Sequence, residues 1–557
     1  MIKKNASRLL AVILLTVLIS ACSSLSKLGG NVITISILYG SEKEEWLEPL
    51  VAQFNEAHNK TASGATIEVV STPMGSIESA RMIVEGAAQP TVWSPASNVY
   101  VPVLEAEWRK EHVDDLITGD PNELVLSPVV IAMWKPMAEA LGWPDEPIGW
   151  ADISDLAISD DGWAAYGYPE WGSFKFGHTH PNYSNSGIVS IIAEAYAGAD
   201  KQRGLSMDDL QSDHVRDFMA AVESSIIHYG SSTGFFATRL FERGPSYLSA
   251  AVMYENLVVA QQSKVLANDV QQIDAVAIYP KEGTFWSDHP YVILNAPWVT
   301  DEMKEAAGLF EDFLLDRPQQ ESAIALGFRP ADRGIALTSP LDAQHGVDPQ
   351  QPYTVLEVPS ADVITGVQEL WTQVKKPVDL VVVMDVSGSM AGDKIAAARV
   401  SLTQFIDLLY DRDRLEIITF GSDILAMTPL TGLGEKRTDI TRRVSGIIEG
   451  GDTRLYDAIQ QAYEDLAANG DPHHIRAVVV LSDGQDTASN ISYRTILDEI
   501  QADSESGGNA VKLFTVAYGG DADTGVLAEL AEVTGGRQYQ GDPDNILEIY
   551  TAIATFF

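Results

Sequence analysis

Cysteine is nearly missing: Cys22 is the single one in 557 residues, so no internal disulfide can form. Positive charge is scarce too. Lysine and arginine number 37 against 78 aspartates and glutamates, a formal net charge of -41. A surface of that sign repels phosphate backbones, which removes nucleic acid from the partners to consider. It favours solubility and draws cations, without locating a site for them. The apolar stretch 9–19, broken only by Thr16, is too short to span a bilayer. There is no Gly-x-Ser-x-Gly elbow, no P-loop, no Rossmann glycine pattern and no zinc-hydrolase helix. No enzyme is expected. Internal repeats and low-complexity tracts are missing as well.

What is present begins at the N-terminus. Lys3, Lys4 and Arg8 precede the apolar stretch, and small Ser20 and Ala21 precede Cys22. Ile19-Ser20-Ala21-Cys22 resembles a lipobox, the signal at which bacteria acylate a cysteine and cut before it. The resemblance implies that residues 1–21 are a lipoprotein signal peptide and Cys22 the lipidation site. Residues 22–31 would then be a flexible tether, rich in Ser and Gly. The chain is thus expected to be exported and held on the extracytoplasmic face of the cell envelope by its lipid alone.

The remainder has the length for two or three cores, and 45% hydrophobic residues suit a folded chain. Residues 32–38 are rich in β-branched side chains and end at Tyr39-Gly40-Ser41, a strand and turn; 42–58 repeat apolar residues at helical spacing. Further strands are predicted at 66–71, 129–134, 174–177, 250–254, 275–279 and 291–294, and helices at 187–196 and 301–315. This alternation predicts an α/β fold with largely parallel sheets.

Several segments then resemble the extracellular solute-binding proteins of ABC transporters. They are Thr91-Val92-Trp93-Ser94-Pro95-Ala96-Ser97, Gly177-His178-Thr179-His180-Pro181, Ser184-Asn185-Ser186-Gly187, Ala251-Val252-Met253-Tyr254-Glu255-Asn256, Leu294-Asn295-Ala296-Pro297-Trp298 and Gly327-Phe328-Arg329-Pro330. The resemblance implies a two-lobed periplasmic-binding-protein-like domain over 32–359, closing on a small solute. Candidate ligand-binding residues are Ser41, Ser184, Asn185, Ser186 and Glu255; Ser184 and Ser186 serve equally well as helix caps. Trp93, Trp134 and Trp171 suit sugar stacking but more commonly fill cores. His178-x-His180 has no cysteine, histidine or carboxylate at ligand spacing and reads as ordinary loop histidines.

Residues 360–376 resume helical spacing and Pro377 ends them, marking a helical connector over 360–377. Residues 379–384 are then a continuous apolar strand running into Asp385-Val386-Ser387-Gly388-Ser389. In an extended segment Asp385, Ser387 and Ser389 fall on one side, at the strand end where open α/β sheets place ligands. Thr453 lies in a glycine-rich loop before a helix, and Asp483 ends the buried strand 477–481. This set resembles the metal-ion-dependent adhesion site (MIDAS) of von Willebrand factor A (VWA) domains. That implies a Rossmann-like doubly wound domain over 378–557, with strands at 414–420 and 512–517 and helices at 455–466, 491–502, 526–534 and 545–557. Five oxygen donors suit Mg²⁺, with Mn²⁺ or Ca²⁺ possible. By the same resemblance the ion keeps an open position for an Asp or Glu carboxylate of a protein partner. The alternative is a solute-binding component of an ABC transporter with the VWA domain as an accessory.

Overall fold

The computed structural model describes residues 31–230, 232–268, 273–505 and 510–557. The predicted signal peptide, the predicted lipidation site Cys22 and the predicted tether up to residue 30 lie outside the described residues. Among the described residues no helix is long and apolar enough to cross a membrane.

The chain divides into two compact units: one ends at Ser127 and resumes over Ser287–Leu341, and the other comprises Pro128–Trp286 with Asp342–Phe557. The division falls inside the segment that the sequence assigns to one domain. In the first unit β1 (Val32–Tyr39) pairs in parallel with β2 (Thr66–Pro73) and β3 (Val92–Ser94). The sheet continues through β4 (Asn122–Glu123) and β9 (Pro290–Ile293), which is antiparallel to its neighbours. Helices Glu44–Glu56 and Asp301–Leu315 cover one face. Trp46, Leu47, Leu50 and Phe54 project from one side of the first helix, as a 3.6-residue period requires, and Phe54 meets Phe310 edge to face at 4.9 Å.

Strand β5 (Val125–Trp134) begins in the first unit, where Val125 and Leu126 pair antiparallel with β10 (Arg329–Pro330); from Pro128 it belongs to the second unit, antiparallel to both β7 (Ala250–Tyr254) and β8 (Ala275–Ile278) along residues 129–134. Only the short β6 (Phe176–Gly177) runs parallel to β7. This sheet is thus mainly antiparallel, whereas β1, β2 and β3 pair in parallel as the alternation of strands and helices predicts. Every β5 residue is buried, and continuous burial reads the same from sequence whichever way the neighbouring strand runs.

The C-terminal part of this unit holds the third sheet, in the order β13-β12-β11-β14-β15-β16. These strands are β11 (Val378–Asp385), β12 (Arg414–Phe420), β13 (Ile424–Gly432), β14 (Ile475–Ser482), β15 (Lys512–Tyr518) and β16 (Gln538–Gly541). All adjacent pairs are parallel except β12 with β13. The edge strand β13, unforeseen from sequence, is partly exposed and carries Pro429, a residue tolerated at an edge because its missing N–H faces no partner. Central β11 is buried along its whole length, which explains its unbroken run of valines.

Candidate metal centre

The C-terminal ends of β11 and β14 lie side by side, in parallel register from Val378–Ile475 to Met384–Leu481. Strand pairing therefore carries Asp385 and Asp483 to the same rim, although 97 and more residues of chain separate Asp385 from that end of β14. Both are fully buried. Asp385 is held from two sides: the Ser387 backbone N–H donates to Oδ1 at 2.8 Å, and the Ser482 hydroxyl donates to Oδ2 at 2.7 Å. Burial pushes the Asp385 carboxyl above its usual range; those hydrogen bonds oppose the shift, and the charge of Asp483 adds to it.

The two serines follow in a chain. Ser387 and Ser389 hydroxyls lie 2.9 Å apart, and Ser389 donates to Asp483 Oδ1 at 2.7 Å. Asp483 Oδ2 accepts from the Lys394 ammonium at 2.6 Å. Thr453 is brought in by its loop, which is tied to the Asp385 loop by backbone bonds from Gly388 N–H to Gly451 O (3.1 Å) and from Gly450 N–H to Val386 O (2.6 Å). The Thr453 backbone is in turn fixed by Thr487 and Ala488. A Cβ at position 484 would stand 3.8 Å from the Thr453 hydroxyl and 3.9 Å from that of Ser389, ordinary contact distances that place both hydroxyls beside the Asp483 turn. All five residues predicted from sequence are thus gathered at one rim. Lys394 and Ser482 were not foreseen. Lys394 sits in the first turn of helix Asp393–Leu408, four residues past the Asp-x-Ser-x-Ser-Met run, where it reads as an ordinary helix-surface cation.

The donor chemistry fits a hard divalent cation: two carboxylates and three hydroxyls, with no nitrogen or sulfur. Of the two buried carboxylates only Asp483 meets a lysine, and the Thr453 hydroxyl takes no protein hydrogen bond among the described residues. These are the properties of a pocket with room for one more positive charge.

The predicted solute residues are placed differently. In the first unit Ser41 opens a short 3₁₀ turn, Ser41–Lys43, next to a fully buried Lys43 that donates to the carbonyls of Ser94 and Pro95. In the second unit Ser184, Asn185 and Ser186 begin helix Asn185–Gly198, buried, and Ser184 makes no side-chain cap. Their polar atoms meet internal partners: Ser186 bonds Thr179 (2.7 Å) and Thr233 (2.8 Å), Ser184 lies 3.3 Å from Thr233, and Asn185 donates to the Tyr254 hydroxyl. Glu255 accepts from Tyr279 at 2.5 Å. Trp93 and Trp134 are core residues with bonded indoles, while Trp171 stacks on Tyr168 at 4.0 Å.

Residues 379–548 match the sequence profile of the von Willebrand factor type A domain. Inter-alpha-trypsin inhibitor heavy chain H4 of Homo sapiens is 27% identical over 182 residues, 31% of this chain and 19% of that protein. The chain therefore spans about a fifth of the length of that relative. "Uncharacterized protein Rv1836c" of Mycobacterium tuberculosis is 21% identical over 488 residues, covering 85% of this chain and 68% of its own. Among solved structures, a periplasmic thiamin binding protein covers 62% of this chain and 96% of its own at 12% identity, with a TM-score of 0.43. The conserved hypothetical protein BatB from Bacteroides thetaiotaomicron covers 32% and 97% at 18% identity, with a TM-score of 0.27. The profile match, the doubly wound sheet and the oxygen set at the rim of β11 and β14 agree: the C-terminal part of this chain is a VWA domain.

Proposed function

We propose that the protein is a lipid-anchored, extracytoplasmic binding protein. Its VWA domain holds a divalent cation, Mg²⁺ by preference, through Asp385, Ser387, Ser389, Thr453 and Asp483, and takes a protein partner's carboxylate through that cation. The observation that carries this reading is the bonded chain Asp385–Ser387–Ser389–Asp483 at one strand-end rim. The cation would supply a Lewis-acidic seat for a carboxylate oxygen.

The rest is the work of the chain. Ser387 N–H and Ser482 fix the Asp385 carboxylate, so its oxygens need no reorganisation. The backbone latch between Gly388 and Gly451 holds the Thr453 loop over the same rim. Lys394 offsets the charge of Asp483, and no other cation pairs with it among the described residues. No nucleophile or general base takes part, so the activity proposed is binding and not catalysis. The N-terminal part is proposed to recognise a small solute or to serve as the scaffold that presents the VWA domain.

The test is a pull-down from cell envelopes with the full chain, in Mg²⁺ and in EDTA, alongside Asp385→Ala. A protein captured only by the wild type in Mg²⁺ is expected. Capture that persists in EDTA and in Asp385→Ala overturns the metal-bridged reading.

A further inference from the structure

A second group of potential ligands lies away from the VWA rim, wholly inside the second unit. His178 follows β6, Glu194 stands in helix Asn185–Gly198, and Glu223 is near the end of helix Asp213–Ser224. All three side chains are fully buried. One ligand atom from each lies within 4.8 Å of the others.

Donor and acceptor accounting shows what the group lacks. His178 Nδ1 is 2.7 Å from the Thr179 carbonyl oxygen. A carbonyl only accepts, so Nδ1 carries the hydrogen and the neutral ring presents a lone pair at Nε2. That lone pair faces Glu223 Oε1 at 3.0 Å, another acceptor. Glu223 Oε2 accepts from the Tyr229 hydroxyl at 2.5 Å. Neither oxygen of Glu194 has a hydrogen-bond partner among the described residues. An unpaired carboxylate in such a place is costly.

A single proton does not resolve this. Placed on His178 it makes an ion pair with Glu223 and leaves Glu194 without a donor. Placed on Glu194 it leaves Nε2 facing Glu223 Oε1. A divalent cation satisfies all of them at once: Nε2, one oxygen of Glu223 and the two free oxygens of Glu194 make four donors, and two carboxylates balance its charge. We propose that His178, Glu194 and Glu223 hold a structural divalent transition-metal ion, with zinc the best match to one imidazole and two carboxylates. The surroundings fit that use. The Thr179 carbonyl orients the imidazole and Tyr229 orients Glu223, the outer hydrogen bonds that metal ligands ordinarily carry. The ion would join the loop after β6 to two helices, both of which pack against helix Ala361–Val374 leading to the VWA domain.

The test uses the full chain, purified as wild type and as Asp385→Ala, dialysed against EDTA and analysed for metals by mass spectrometry. Close to one equivalent of zinc, or of manganese or iron in its place, is expected in both, because a buried ion exchanges slowly and does not depend on the VWA rim. Glu194→Gln and His178→Gln should each lose most of it. X-ray absorption at the edge of the bound metal in wild type should show imidazole scattering, which the oxygen-only set at Asp385 cannot produce; this reading holds even if a variant fails to fold. A wild-type protein that takes up no zinc, manganese or iron even when refolded in their presence overturns the proposal, as does a metal shell without imidazole. A metal-free protein made more stable by Glu194→Gln also overturns it, in favour of a protonated carboxyl.

Discussion

Asp385 and Lys394 show how single residues set the character of the VWA rim. Asp385 spends one oxygen on a backbone N–H and the other on Ser482, so it is held rigidly. Lys394 is bound to Asp483 alone by its ammonium and retains partial exposure, which lets it withdraw. Glu416 presents a different case of a carboxyl under strain. It lies on β12, almost fully buried, with Asp465 beside it. Burial foremost, and then the charge of Asp465, push its carboxyl up to about 7. The folded state therefore holds a proton that the unfolded chain releases at ordinary carboxylate pH. Stability contributed by that proton is present below the unfolded value and lost as pH rises through about 7. Glu416→Gln should thus gain on the wild type as pH rises, by a few degrees in Tm between pH 5 and pH 8. A Tm difference that stays constant over that interval would refute this.

At the scale of elements, the approach of helix Asn185–Gly198 to the loop after β6 rests on Gly187. A Cβ there would come within 2.2 Å of the Thr179 carbonyl oxygen and 2.8 Å of His180 C, both backbone atoms that cannot swing aside. Gly187→Ala should cost about 1–3 kcal/mol, as overpacking does, measured from the urea midpoint of the full chain. An unchanged midpoint would mean that the loop yields freely. Element boundaries were legible where periodicity was strong: strand 250–254 and helix 301–315 appear as predicted. Helix 491–502 is observed as Tyr493–Glu505, and 455–466 extends to Asn469. The direction of β5 and β7 was not legible, because these antiparallel strands bury every residue just as parallel strands do. Edge strand β13 escaped notice because its residues alternate too weakly to register.

Across the second unit, the VWA domain is packed on its neighbouring residues and not merely strung behind them. Phe556 places its ring 4.8 Å from Phe514 of β15 and 6.1 Å from His228, while its carbonyl accepts the Tyr229 N–H. Lys375, buried at the end of the connector helix, donates to the Phe557 carbonyl at 2.9 Å. Arg243 reaches the Glu532 carbonyl at 2.6 Å. Phe556→Ala should cost about 3–5 kcal/mol and loosen the VWA domain from residues 128–286. Calorimetry of the full chain should then resolve an additional transition. If the variant melts with an unaltered profile, the two parts are not thermally coupled through this contact.

The five oxygen-bearing residues of the rim, the VWA fold of the C-terminal part and the α/β class were readable in the sequence by itself, because a buried strand ending in Asp-x-Ser-x-Ser is a local pattern and local patterns survive in one dimension. The sequence also supplied the lipobox resemblance at Cys22, which lies outside the described residues. Tertiary structure alone decided the rest. It set Lys394 and Ser482 against the two aspartates, turned the hydroxyls of Ser184 and Ser186 toward internal partners, and brought Glu194 and Glu223 to His178. Those carboxylates stand 16 and 45 residues further along the chain, on separate helices, so no ligand spacing announces them. Their meeting depends on how helices pack, and packing is a property of the whole fold and not of any segment.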